Sequence, residues 1–360
     1  MKRMKKVAAL LLAAVMLAST AACSSDKSWA AKNDSLTVPI GSYIYELYAA
    51  YYSASSQTGD TAAGSASSQA AESSVLDRKI DGKDAKTWIR EKALNSTKSL
   101  FVIDRKMKDL KLTLTDAEKA SIKTNTDSSW ANYKSTLEGY GIAESSYQLA
   151  AAEYSAKYQK VFQATYGKSG AKAVPDDELK SFFEKNYTDF SYVLCKLYKT
   201  DSSGNYSASF TDSEKKKAEA EFNDYASKIS AGTMTLQQAA DAYKSVDSTI
   251  SVQNDTANLK TNLQGYPDDL VKLLDGMKAG ETKAAEISSG YLYILATKND
   301  IAKKTADEMK TDDGRNNLLA DYKGQEFSDE ISKEADSVSG VTINEKAIDS
   351  YDPSMFAAEK

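Results

Sequence analysis

The stretch Phe190-Ser191-Tyr192-Val193-Leu194-Cys195-Lys196-Leu197-Tyr198 decides how this chain is read. It is a short apolar run, and it breaks a helical pattern that holds from residue 35 to residue 188. Beyond it, Asp201-Ser202-Ser203-Gly204-Asn205 is a turn signal. Residues 212–230 read as an amphipathic helix with Ala218, Phe222, Tyr225 and Ile229 on one side. Residues 235–243 and 268–277 read as shorter helices, with a polar irregular stretch over 247–265 between them. Lys278-Ala279-Gly280-Glu281 is a turn, and 286–296 reads as a strand pair around Gly290. The order strand, three helices, two strands predicts an α+β domain over residues 189–300.

Working outward, the flanks are helical. Over 35–52, Ile44, Leu47, Tyr48 and Tyr51 recur at one-face spacing. Tyr43, Tyr48 and Tyr51 are candidate peptide-binding rings, since tyrosine offers a rigid apolar face with a polar edge; the same rings can instead pack on another helix. Residues 53–75 are small and polar, a composition that predicts a flexible insertion. Asp84 can cap a helix running to about Leu110, and Thr115-Asp116-Ala117-Glu118 is a capping-box pattern. Residues 145–166 give another helix, and Pro175 followed by Asp176, Asp177 and Glu178 opens one more. After Asp300 the chain returns to helix, with Leu318, Leu319, Tyr322, Phe327 and Ile331 as apolar positions, then a short extended piece over 341–344. The expected division is therefore a helical region over 35–188, the α+β domain, a C-terminal helix and strand over 301–345 that pack on the N-terminal region, and a tail over 346–360.

The full sequence of 360 residues contains no histidine, which excludes Ser-His-Asp and Cys-His triads and imidazole metal sites. Its two cysteines cannot form a Cys-rich zinc site, and no GxxxxGK[ST] loop is present, so neither a metal nor a nucleotide cofactor is expected. The pairs Asp176-Asp177 and Asp268-Asp269 sit at helix starts, where capping explains them. Cys195, inside an apolar run, reads as a buried unpaired thiol.

At the N-terminus, Lys2, Arg3, Lys5 and Lys6 precede an apolar run over 7–18 that is too short to span a bilayer. This reads as a secretory signal over 1–22. Ser19-Thr20-Ala21-Ala22-Cys23 resembles a bacterial lipobox, with Thr20 in place of the usual Leu. The resemblance implies cleavage before Cys23, diacylglycerol on its sulfur, and a polar tether over 23–34 outside the cytoplasm. Four of the 46 basic residues and none of the 51 acids lie in 1–22, so the mature charge is −9. Such a chain is a poor nucleic-acid binder, and its membrane link is expected to be the lipid itself.

Several segments together resemble an extracytoplasmic foldase of the SurA/PrsA type. Residues 86–120 (KTWIREKALNSTKSLFVIDRKMKDLKLTLTDAEKA) resemble that family's long N-terminal helix and following turn. Residues 174–191 (VPDDELKSFFEKNYTDFS) resemble the entry to its parvulin domain, and residues 267–300 the closing half. Residues 315–344 resemble the returning C-terminal helix and strand. The resemblance implies a mainly helical chaperone body, formed from N- and C-terminal segments, with an inserted parvulin-like domain. It implies unfolded secreted polypeptides as partners, bound without ATP.

Parvulins floor their isomerase site with two histidines. Aligned on SYVLCK, the first falls at Tyr192; aligned on GYLYIL, the second falls at Leu292. Leu270 stands where the family has a pocket aromatic, and Asp247 at its polar position. The glycine loop has no counterpart in 248–265. The resemblance thus implies a degenerate peptidyl-prolyl isomerase pocket and a chaperone or foldase function. The alternatives are an active isomerase using Tyr192 as a hydrogen-bond donor, a solute-binding lipoprotein, and a structural envelope lipoprotein.

Overall fold

The computed structural model describes residues 28–57, 75–201, 203, 205–259 and 265–357. The expected signal segment and Cys23 lie outside them. The fold is of mixed α+β class, and contacts divide it into two units: Met1–Lys172 with Gln325–Lys360, and Ala173–Gly324.

The first unit opens with β1 (Trp29–Lys32) and β2 (Thr37–Pro39), an antiparallel pair. Ala30 and Ala31 are fully buried. This corrects the expected tether over 23–34 from residue 29 onward, residues 23–27 lying outside the described residues: Trp-Ala-Ala-Lys carries no large aliphatic residue to betray a strand, and it is held by long-range pairing. Helix α1 (Ile40–Gln57) follows and buries Ile40, Tyr43, Ile44, Leu47, Ala50 and Ala54. Residues 53–57 continue α1 and Val75 is buried, which corrects both ends of the insertion expected over 53–75; residues 58–74 lie outside the described residues. Strands β3 (Lys79–Ile80) and β4 (Lys83–Asp84) form a hairpin. Asp81 and Gly82 between them have φ of 51° and 77°, the left-handed pair that a two-residue hairpin of this twist requires.

Asp84 accepts hydrogen bonds from the Lys86 and Thr87 amides and starts α2 (Ala85–Asp109). The Thr115–Glu118 capping box forms as expected and starts α3 (Asp116–Gly139). A short α4 (Glu144–Tyr147) runs into a π-helical segment, Gln148–Glu153, and then α5 (Tyr154–Tyr166).

The second unit begins with α6 (Asp176–Asn186), whose first turn carries three acids after Pro175. Strand β5 (Thr188–Lys196) follows, then the hairpin β6 (Tyr198–Thr200) and β7 (Tyr206–Ser209). Helices α7 (Asp212–Ser230) and α8 (Leu236–Tyr243) each start on a threonine capping box. Next come β8 (Gln253–Ala257), α9 (Asp268–Asp275), β9 (Thr282–Ile287) and β10 (Leu292–Lys298). The four-stranded sheet has the order β8-β5-β10-β9 and is antiparallel throughout. Its central strands are covered on both faces, which is why they read as continuous apolar runs and not as alternation. Val193, Cys195, Tyr293 and Leu295 pack with Phe222, Ala240 and Tyr243 on one face. Phe190, Tyr192, Leu194, Ile294 and Ala296 pack with Leu270 and Leu274 on the other. Strand β8 was not legible, because Gln-Asn-Asp-Thr-Ala at a sheet edge has no apolar signature.

Helix α10 (Ile301–Glu308) and the first half of α11 (Asp312–Asp336) belong to this second unit. The buried Arg315 bonds through Nε to Asp176 Oδ1 at 2.7 Å and through Nη2 to the Val174 carbonyl at 2.7 Å. The Tyr322 hydroxyl donates to Glu178, and its ring lies 4.5 Å from Phe182. These contacts place 173–188 and 301–324 with the sheet, where the sequence pattern assigned them to the flanking helical regions.

The chain then returns to the first unit. β11 (Thr342–Ile343) pairs with β1, matching Ala31 to Ile343. A short α12 (Glu345–Ile348) and a 3-10 turn (Pro353–Phe356) follow. Residues 346–357 are no loose tail, because Ile348 and Phe356 are buried in the core with α1.

Candidate functional site

Helix α1 carries a single charged side chain, Glu46, among eighteen residues. It faces a cavity of about 400 Å³ inside the first unit. Around the void, small side chains leave room that larger ones would fill: Ala49 on α1, Ser96 and Ser99 on α2, Ala150 and Ala151 in the π-helical segment, and Ser328 and Ser332 on α11. The π segment widens the helix path, a device that recurs at functional sites. Three tyrosine rings, Tyr45, Tyr154 and Tyr158, complete the wall. Tyr154 and Tyr158 lie 5.9 Å apart, and Tyr45 stands edge-on to Tyr147 at 5.2 Å.

Burial pushes the Glu46 carboxyl up to about 8, against a smaller opposing pull from the Lys92 charge and a hydrogen bond with Ser96. Glu46 as a residue is half-buried and lines the cavity. Desolvation also raises Tyr45 and Tyr154 above the ordinary phenol range. Tyr154 bonds with Ser99, and Tyr158 with Ser328. A second hollow of about 250 Å³ adjoins the cavity, sharing Lys92, Asn95 and Ser332.

The residues picked from sequence fare unevenly. Tyr43 is 2% exposed and belongs to the core, so its ring is not available to a peptide. Tyr48 and Tyr51 are half-buried in an aromatic cluster with Tyr52, Tyr140 and Phe356. The one-face spacing of Ile44, Leu47, Tyr48 and Tyr51 marks the side of the helix that packs into the core, whereas Tyr45, Glu46 and Ala49 line the cavity. A lone acid inside an apolar, tyrosine-rich helix was the signal for it.

In the second unit, Tyr192, Leu270 and Leu292 share one face of the sheet. Tyr192 stacks on Phe190 at 5.4 Å and Leu270 is buried. The register pairs Tyr192 with Ala296 and Leu292 with Lys196, so Tyr192 and Leu292 stand four residues, about 13 Å, apart along the strands. Asp247 is not with them. It follows α8, accepts from the Thr249 amide at 2.9 Å, and acts electrostatically on Cys195 and Tyr243, which belong to the opposite face. Cys195 is a buried free thiol, as its setting suggested.

No protein-family model and no curated protein matches this chain. Function therefore rests on the residues themselves. Among the described residues, no group of three or more His, Cys, Asp or Glu side chains converges in a way that could hold a metal ion. Among them, too, no helix is long and apolar enough to cross a membrane.

Proposed function

We propose that the protein is a lipid-anchored chaperone or foldase acting outside the cytoplasm. It holds unfolded secreted chains without ATP, through a helical body built from both ends of the chain around an inserted parvulin-like domain. The observation that carries this reading is the tyrosine- and serine-lined cavity of the helical unit. Rigid rings offer contact area at little entropic cost, and the serine hydroxyls of the wall can bond a peptide backbone irrespective of its sequence. Weak contacts of this kind suit many clients, whereas a tight apolar pocket suits one. The lipobox-like Ser19–Cys23 sequence supports the anchor, and the order of foldase-like segments supports the class.

The test is light scattering of a denatured client diluted into buffer with the purified full chain and no nucleotide. Suppressed aggregation at near-stoichiometric ratios is expected, with Tyr154→Ala/Tyr158→Ala weakening it. No suppression, together with no binding of a fluorescent unfolded peptide, would reject the reading.

A further inference from the structure

The cavity has a chemistry more specific than peptide-backbone binding. Glu46 is its only carboxylate, and one serine hydroxyl is the hydrogen-bond partner seen for it. Tyrosine rings, which attract cations through their faces, make up the aromatic wall. The adjoining hollow adds Asp81, Glu91 and Asp336, of which Glu91 is paired with Lys83. The two hollows together thus carry more acid than base, and they meet at Asn95, whose side-chain amide is already engaged by Asp336 and the Ser332 carbonyl.

The geometry points to a site for a primary ammonium group on a slender aliphatic stem, seated on Glu46 between the rings of Tyr45, Tyr154 and Tyr158. The ammonium comes from a free diamine or from the lysyl side chain of a bound polypeptide; the second source rests on the chaperone reading. A volume near 400 Å³, at ~30 Å³ per water-sized group, holds on the order of a dozen non-hydrogen atoms, enough for either. A neutral ligand leaves Glu46 to stay protonated, as burial favours, whereas a cation lets the carboxylate ionise by supplying the charge that desolvation withholds.

The charged and titratable groups around Glu46 are Tyr45 on its own helix, Lys92 on α2, and Tyr154 and Tyr158 on α5; α11 contributes only Ser328, Ile331 and Ser332. The phenols stay neutral across the working range. Lys92 is exposed but lines both hollows and acts on Glu46, so its ammonium competes with the ligand. Ammonium binding therefore displaces a proton from Glu46, and affinity rises with pH.

The experiment is calorimetric titration of the full chain with cadaverine and with its neutral counterpart 1,5-pentanediol. Cadaverine is expected to bind at least tenfold more tightly, with roughly tenfold or greater weakening between pH 8.5 and 6.5. Glu46→Gln, checked for folding by its melting temperature, is expected to remove the preference, and Lys92→Gln to strengthen cadaverine binding. A lysyl peptide bound tenfold better than its norleucine analogue upholds the site and identifies a bound chain as the source; cadaverine binding without that preference upholds it with a free amine as the source. Equal affinity for cadaverine and pentanediol, no binding of either, or an unchanged Glu46→Gln variant overturns the inference. If aggregation suppression persists in that last case, the chaperone reading survives it.

Discussion

The ring of Phe327 lies 4.7 Å, centroid to centroid, from the ring of Tyr158, and Phe327 is fully buried. Phe162 and Tyr166 close on the same ring at 5.4 and 6.1 Å. One residue beyond the intervening 173–324 unit thus fills the aromatic centre of α5. Ion pairs from Lys106 to Glu330 at 2.9 Å and to Glu334 at 2.7 Å flank it. Burial of the ring is the larger effect, since partly exposed pairs contribute little.

Phe327→Ala should therefore destabilise the first unit by about 3–5 kcal/mol, the usual cost of emptying a buried aromatic position. Lys106→Met should cost far less. Chemical denaturation followed by the tryptophans of this unit would rank the two.

Glu46 makes stability depend on pH. Its carboxyl titrates near 8 in the folded chain against an ordinary value of 4.5. Between those values the folded state keeps a proton that the unfolded state has lost, so stability falls as pH rises through the window. The effect is on the order of a few kcal/mol at most. Glu46→Gln should flatten the stability profile between pH 5 and 8, read as melting temperature against pH, and a profile with unchanged slope would contradict the assignment.

The Thr115–Glu118 box behaves in the opposite sense. A hydrogen bond from Lys160 and those from Thr115 hold the Glu118 carboxyl down to about 2. Its contribution is present above the ordinary carboxylate range and fades as pH falls toward 2. Thr115→Ala should cost ~1 kcal/mol. Lys160→Met should move the Glu118 titration, followed by NMR, back toward ordinary values.

Cys195 donates toward the Tyr243 hydroxyl at 3.2 Å, and burial lifts its thiol to about 11. In a Cys23→Ser variant, a thiol reagent at neutral pH should leave the folded protein unmodified and label one site after denaturation. Fast labelling of the native chain would show that the α7–α8 face of the sheet opens.

Prolyl isomerisation should be undetectable above background. Tyr192 is stacked on Phe190, Leu270 is buried, Asp247 lies with the opposite face, and Tyr192 and Leu292 are separated along the strands. A protease-free assay on a Xaa-Pro peptide checks this. A measurable rate lost in Tyr192→Phe would instead support the isomerase alternative.

Much of the local structure, though not β1 or β8, is legible in neighbouring residues. Capping at Asp84 and Thr115, the Pro175 helix start, and the apolar runs of β5 and β10 are all written in neighbouring residues, because a cap or a periodic face needs only its own turn or strand to form. The tertiary structure alone decided where those elements belong. The burial of Ala30 and Ala31, the placing of α6 with Arg315, and the packing of Phe356 on α1 depend on partners far along the chain. The cavity is of the same kind: its walls come from separate helices, and small residues define a void only when those helices are brought together.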